Sequence, residues 1–267
     1  MENVSIVILF FHRDLDKMPD NYDPDMMKDC IDSIYQNTKN YELICVDNGS
    51  TTDETWVKEY ANQYIRFEEN MGISNGWNSG ILAAKHDKVI ILGDDTIVSS
   101  GWTEAMLECF KYKDCGAASP QVEGMPYRDK IQEVWNWFPG ACFMLSKSRT
   151  VKKVGYFDWK TFFPCNLEDT DYWARLLASG LKLYTNPQAF VQHRMGATLH
   201  VDDLSGPFER LRQRFIKKHG FDGQRYFYMD KDIREVLHLV NKTKVMPANE
   251  QDLIRGEYQS GNLCIVK

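Results

Sequence analysis

The run from Val4 to Phe11 is apolar apart from Ser5. The run is short and rich in β-branched residues, which predicts a buried strand. A loop rich in Asp, Pro and Asn follows. Met27, Cys30, Ile31, Ile34 and Tyr35 then recur at helical spacing, as one face of an amphipathic helix would. Tyr41–Val46 reads as the next strand, ending at Asp47-Asn48-Gly49-Ser50. Ser50 and Asp53 have capping-box spacing, and Trp56, Val57, Tyr60, Ala61 and Tyr64 predict a second helix. Ile65–Glu68 is a short strand. Residues Gly72 to Gly80 read as a Gly/Asn/Ser loop that turns into a helix near Ile81–Lys85. Lys88–Leu92 is a strand that ends at Gly93-Asp94-Asp95, and Trp102–Phe110 is helical.

This alternation of strand and helix predicts an α/β fold: a Rossmann-like, mostly parallel sheet with helices on both faces. The acidic tips, Asp47 and Asp94/Asp95, both fall at the carboxyl ends of strands, the edge where open α/β sheets bind ligands. The second half is less regular. Ala117–Val122, Ala141–Leu145 and Lys182–Tyr184 read as strands. Thr170–Ser179 reads as a helix with acids at its start and Gly180 as its stop. Phe208–His219 reads as a basic amphipathic helix. The expected division is a main domain over 1–225, with a nucleotide half to about 115 and an acceptor half over 116–225, followed by a C-terminal appendage over 226–267.

Composition narrows the class. Hydrophobic residues make up 43% and charged residues 26% of the 267 residues, as in an ordinary globular chain. The net charge is −6, yet residues 207–244 carry ten Lys or Arg against five Asp or Glu. A basic segment on an acidic body fits a solvated helical face or a phosphate-rich partner. The seven cysteines show no C-x-x-C pair and no zinc spacing, so reduced thiols are expected. Val4–Phe11 is too short to span a bilayer and lacks a basic leader. The reading places the chain in the cytoplasm, recruited to a membrane if it works at one, or in the host cytoplasm if phage-encoded.

Six groups could carry chemistry. Asp94 and Asp95 are adjacent carboxylates at a strand end, where they repel each other unless a cation is present. Their hard oxygens suit Mg²⁺ or Mn²⁺ bridging to phosphate. An ordinary strand-end turn also favours Asp. Asp47 could accept bonds from a ribose or base, or simply cap a turn. Asn70, Gly72, Asn78 and Gly80 form a loop whose amides could meet phosphate or sugar oxygens. Glu168-Asp169-Thr170-Asp171 opens a helix, where the dipole favours acids, and it could equally supply a general base. His193 follows a short apolar run, and imidazole is a common metal ligand. Trp135, Trp137 and Phe138 could stack on a sugar ring or pack in the core.

Taken in order, seven segments resemble family 2 of the inverting glycosyltransferases, with most similarity to its rhamnosyltransferase-like branch in bacteria and phages. The segments are VSIVILFFHR, ICVDNGSTTDETW, ENMGISNGWNSGI, VIILGDDTIVSSGW, WFPGACFMLSKSRTVKKVGYFD, FFPCNLEDTDYWARLLASGLKLY and VQHR. The resemblance implies a GT-A fold and transfer of a sugar from a nucleotide-diphosphate-sugar to an acceptor hydroxyl. It further implies that Asp47 contacts the nucleotide and that Asp95, assisted by Asp94, holds Mn²⁺ or Mg²⁺ on the diphosphate. Asp169 would be the base with Glu168 beside it, His193 would lie near the metal, and Gly140-Ala141 would line the floor between donor and acceptor. Two departures stand out. Leu9-Phe10-Phe11-His12 replaces the family's Pro-Thr-Tyr-Asn-like stretch, so Phe11 and His12 become candidates for the nucleotide contact. A Gly precedes the Asp pair where Asn or Asp is frequent.

The expected acceptor is a saccharide or lipid-linked saccharide. Alternatives are modified nucleic acid, which the basic segment would face, and a non-catalytic carbohydrate-binding relative. A nucleotidyltransferase would need a Gly-rich, basic signature after the first strand. Phe10-Phe11-His12-Arg13 offers one Arg and no Gly.

Overall fold

The computed structural model describes residues 2–13, 23–194, 205–229, 231–246 and 264–266. Most of the loop expected after the first strand, and residues 247–263 of the expected appendage, lie outside the described residues. The first half contains β1 (Val4–Phe10), α1 (Met26–Asn37), β2 (Tyr41–Asp47), β3 (Gln63–Arg66), α2 (Ile73–Ala83), β4 (Lys88–Gly93), β5 (Thr96–Val98) and α3 (Trp102–Cys109). The second half contains β6 (Cys115–Val122), β7 (Gln132–Val134), β8 (Cys142–Ser146), α4 (Lys152–Val154), α5 (Glu168–Ala178), β9 (Lys182–His193), α6 (Ser205–His219), α7 (Gly223–Tyr228) and β10 (Cys264–Val266).

The strands form a single ten-stranded sheet in the order β10-β3-β2-β1-β4-β8-β6-β9-β5, with β7 paired to β9. Strands β3, β2, β1 and β4 are mutually parallel. Strand β8 runs antiparallel to β4 and opens the second half. The register sets Phe10 beside Asp47 and Leu9 beside Gly93. The carboxyl ends of β1, β2 and β4 therefore share one edge, with β1 at the point where strand order reverses.

The two-residue period of the strands divides the core between the faces of the sheet. Ile6, Ile8 and Phe10 pack on one face with α1 and α3, while Val7 packs on the other with α2 and α5. Strands β2 and β4 divide in the same way: Leu43, Cys45, Ile90 and Leu92 against Ile44, Val46, Val89 and Ile91. Each such fully buried side chain contributes roughly 1.5–3 kcal/mol of transfer free energy. Six cysteines among the described residues are buried and unbridged.

Three local readings change. The Gly/Asn/Ser stretch is α2, helical from Ile73, because its small residues let the helix lie close on β1. A Cβ at Gly76 would meet the Leu9 side chain at 2.2 Å, and one at Gly80 would meet Val7 at 2.2 Å. The expected helix after Ser50 is only a 3₁₀ turn over Thr55–Glu59, with Val57 its one buried residue. Ser50 does not pair with Asp53; its hydroxyl accepts from the His12 amide at 2.9 Å. Tyr35, expected in the buried stripe of α1, is 77% exposed.

The end of the chain packs on the body. Phe227, Ile233, Val236 and Val240 are buried in the same core as α5. Helix α6 docks through a buried ionic cluster. Asp171 pairs with Arg175 at 2.8 Å, with His219 at 2.8 Å and with Lys218 at 2.5 Å. Burial alone would raise the Asp171 carboxyl, but the Arg175 charge, the His219 hydrogen bond and the Lys218 charge hold it well below the usual carboxylate range.

Candidate active site

A cavity of about 410 Å³ opens at the shared edge of β1, β2 and β4. Both acidic clusters reach it. Asp94 and Asp95 come from the end of β4, His193 from the end of β9, and Glu168 and Asp169 from the start of α5. Phe11, Asn70, Gly140 and Ala141 also line it.

On the first side, Asp95 Oδ2 lies 3.2 Å from His193 Nε2. The pairing of Thr96 with His193 across β5 and β9 fixes this approach. Gly93 makes room for it, since a Cβ there would sit 2.7 Å from Asp95 Oδ1. The glycine that departs from the family pattern is therefore what lets the Asp95 carboxylate fold back over the strand end. Among the described residues, no three His, Cys, Asp or Glu side chains converge on a point where they would enclose a metal ion.

Asp94 is buried and faces His12, with Oδ2 3.1 Å from Nε2. The other His12 nitrogen lies 3.1 Å from Glu54 Oε1. Burial would lower the His12 pKa, but hydrogen bonds to Asp94 and Glu54 raise it to about 10, so the ring is cationic at neutral pH. Burial works against Glu54 as well, yet His12 and Thr52 bring its carboxyl down to about 2. His12 thus sits behind Asp94 as its partner and does not line the cavity.

On the opposite side, Asp169 Oδ1 accepts from the Thr170 amide at 2.6 Å and from its hydroxyl at 3.1 Å. Oδ2 accepts from the Tyr228 hydroxyl at 3.2 Å. Glu168 is 5% exposed, and its Oε2 has no hydrogen-bond partner. Burial, then the neighbouring Asp169 charge, pushes the Glu168 carboxyl up to about 8. Burial raises Asp169 too. Backbone amides offset the rise at Glu168 only in part, so Glu168 is protonated at neutral pH, while three donors favour charge on Asp169.

Three other expected contacts lie elsewhere. Asp47 is fully buried, and its carboxylate is taken by the Ser50 amide at 2.8 Å, the Tyr64 hydroxyl at 2.8 Å and the Arg66 guanidinium. It ties β2 to β3 and does not face the cavity. Asn78 clamps the Phe157 backbone, donating to its carbonyl and accepting from its amide, both at 3.0 Å. Gly72 is a tight left-handed turn at φ 81° against Pro164, whose carbonyl oxygen a Cβ would meet at 2.8 Å. In place of these, Arg13, Asn48, Ile73, Trp77, Pro164 and Cys165 join the lining. Asn48 stood one place from the residue singled out, and Arg13 was visible as the one Arg in Phe10-Phe11-His12-Arg13. Nothing local marks the others. Of the aromatic group, Phe138 is buried against Trp173 at 4.8 Å, while Trp135 and Trp137 are half-buried.

A second concavity, about 440 Å³, lies beside β7. Its carboxylates are already paired, Glu133 with Lys182 at 2.8 Å and Asp232 with Arg234 at 2.5 Å. It does not combine acids with imidazole as the first cavity does.

The order of the strands, with β8 antiparallel after the parallel β3-β2-β1-β4 set, is that of a GT-A-type fold, and comparison with known proteins agrees. The family model described as "Glycosyl transferase family 2" matches residues 5–166, and the chain belongs to that family. No curated protein sequence matches it significantly. Among solved structures it is similar in fold to GalNAc-T7, determined with UDP, GalNAc and Mn²⁺, at TM-score 0.65 and 14% identity. That match covers 89% of this chain and 54% of the GalNAc-T7 chain, so this chain spans about half the length of its structural relative. No helix among the described residues is long and apolar enough to cross a membrane.

Proposed function

We propose that this protein transfers a glycosyl group from a nucleoside-diphosphate sugar to an acceptor hydroxyl, with inversion at the anomeric carbon and Asp169 as general base. One observation carries the reading: the Asp94/Asp95/His193 group and the Glu168/Asp169 pair line the same cavity. Asp169 accepts the acceptor proton as that oxygen attacks the anomeric carbon. The bond from that carbon to the diphosphate oxygen breaks, and its electron pair leaves with the diphosphate. Arg13 lines the same cavity and faces the departing negative charge. Glu168, neutral at pH 7, can donate a hydrogen bond to a sugar hydroxyl without repelling Asp169.

A divalent ion fits the residues present. A carboxylate and an imidazole 3.2 Å apart offer two ligands, and Mg²⁺-type sites commonly add substrate phosphates and water to one or two protein groups. Asp95 and His193 would hold the ion, with Asp94 behind them. When bound, it supplies Lewis-acid stabilisation of the leaving diphosphate. The UDP and Mn²⁺ in the GalNAc-T7 structure support this choice of donor class and ion. Resemblance to the rhamnosyltransferase-like branch rests on motif order in the sequence.

The acceptor class we infer is a saccharide or lipid-linked saccharide. The nucleic-acid alternative drew on the basic segment, part of whose charge is paired within the protein. Arg212 pairs with Asp222 at 2.6 Å and Glu209 at 2.9 Å, and Lys218 pairs with Asp158 at 2.7 Å.

The test is a panel of UDP-, GDP- and dTDP-sugars with Mn²⁺, screened by thermal shift and then by NMR of the product's anomeric proton. A bound donor raises the melting temperature by mass action. Inverted product from one donor supports the reading. Retained configuration would overturn the single-displacement role of Asp169.

A further inference from the structure

We propose that Tyr228 is a positioning residue for the base, aiming Oδ2 of Asp169 at the acceptor hydroxyl through the hydrogen bond it donates. This rests on the glycosyl-transfer reading above and deepens it.

A carboxylate oxygen offers about two acceptor sites. Asp169 Oδ1 fills both with the Thr170 amide at 2.6 Å and the Thr170 hydroxyl at 3.1 Å. The proton from the acceptor must therefore arrive at Oδ2. Tyr228 occupies one site on Oδ2 at 3.2 Å, which leaves one. Gly140 keeps the space beside that atom open, since a Cβ there would lie 2.8 Å from it. The incoming hydroxyl thus has one acceptor site left on Oδ2.

Tyr228 is suited to hold that geometry. Its ring meets Trp137 edge-on, centroids 5.6 Å apart at 86°. The Trp137 amide donates to the Phe227 carbonyl at 2.9 Å, and Phe227 is buried in the core. Helix α7 is therefore anchored at Phe227, immediately before the contact. Burial, with the Asp169 charge beside it, keeps the phenol protonated well above its ordinary range, so it donates throughout the working pH range. The family match ends at residue 166, so this contribution comes from beyond the matched region.

Two consequences follow for the base. A donor on Oδ2 favours the ionised carboxylate, offsetting the burial that raises it. A fixed Oδ2 also keeps the proton acceptor in line with the attacking oxygen, where small misplacements are costly.

The experiment compares wild type with Tyr228→Phe, which keeps the ring and removes only the hydroxyl. Each is assayed for cleavage of the donor selected from the UDP-, GDP- and dTDP-sugar panel, across pH 5–9, with donor affinity and melting temperature measured in parallel. The expected result is kcat lower by on the order of 10-fold at pH 7, since bonds to charged groups are among the stronger ones. The acid limb of the profile should move up by about one pH unit, with partial recovery at high pH and donor KM unchanged. Loss of rate by the same factor at every pH, with an unmoved acid limb, would overturn the positioning role. So would unchanged kcat. A wild type that cleaves no donor in the panel would bring down the glycosyl-transfer reading, and this inference with it.

Discussion

Gly140 lies against Asp169: a Cβ at position 140 would stand 2.8 Å from Asp169 Oδ2 and 3.6 Å from its Cγ. The carboxylate proposed as base therefore depends on the absence of a side chain on a neighbouring loop. Gly140→Ala should push Oδ2 out of place while leaving the core intact. A misplacement near 1 Å costs roughly 100-fold in rate. We expect that loss in kcat with a melting temperature close to wild type. An alanine variant with full activity would show that the contact gives way without consequence.

His12 is the partner that makes a buried Asp94 tolerable, and it binds Glu54 on its other face. Removing one member of a buried pair strands the other charge, at a cost of about 3–5 kcal/mol. His12→Ala should be destabilised by that order in urea melts. His12→Ala combined with Asp94→Asn should recover part of the loss, because one of the two stranded charges is then gone while Glu54 remains.

Glu168 gives a pH signature of defined sign. Its carboxyl is raised to about 8 in the folded protein, against about 4.3 in an unfolded chain. Between those values the folded state binds more protons, so stability falls as pH rises. The favourable contribution is complete below the unfolded value and is lost as pH climbs through about 8. Glu168→Gln removes the titration. Its unfolding free energy should therefore fall less between pH 5 and 8 than that of wild type. Parallel curves for the two proteins would contradict the assignment of the proton to Glu168.

Much of this architecture could be read from patterning alone. The strands that carry the site, β1, β2 and β4, are short apolar runs, and the acids at two of their ends were conspicuous. The start of α5 announced itself by three acids in four residues. What could not be read depended on distant partners. Asp47 looked available until Tyr64 and Arg66, on β3, were seen to take its carboxylate. Helix α2 looked like a loop because Gly, Asn and Ser are weak helix formers. Close packing of Gly76 and Gly80 on β1 overrides that preference. Strand β9 continues to His193, past Asn186-Pro187, which reads locally as a break. The register of β9 against β6 shifts between Pro120 and Gln121, which absorbs the irregularity. Tyr228 belongs to no motif, and its role is visible only where α7 meets α5.

The account turns on a division of labour across one cavity, between a group that holds the donor and a carboxylate that serves the acceptor. Calorimetric titration of Asp169→Asn with the donor and Mn²⁺, run beside a transfer assay, tests that division most directly. We predict donor affinity within about twofold of wild type and transfer reduced by ~10²–10⁴-fold, the usual contribution of a positioned general base. An Asp169→Asn protein that still transfers at the wild-type rate would contradict it.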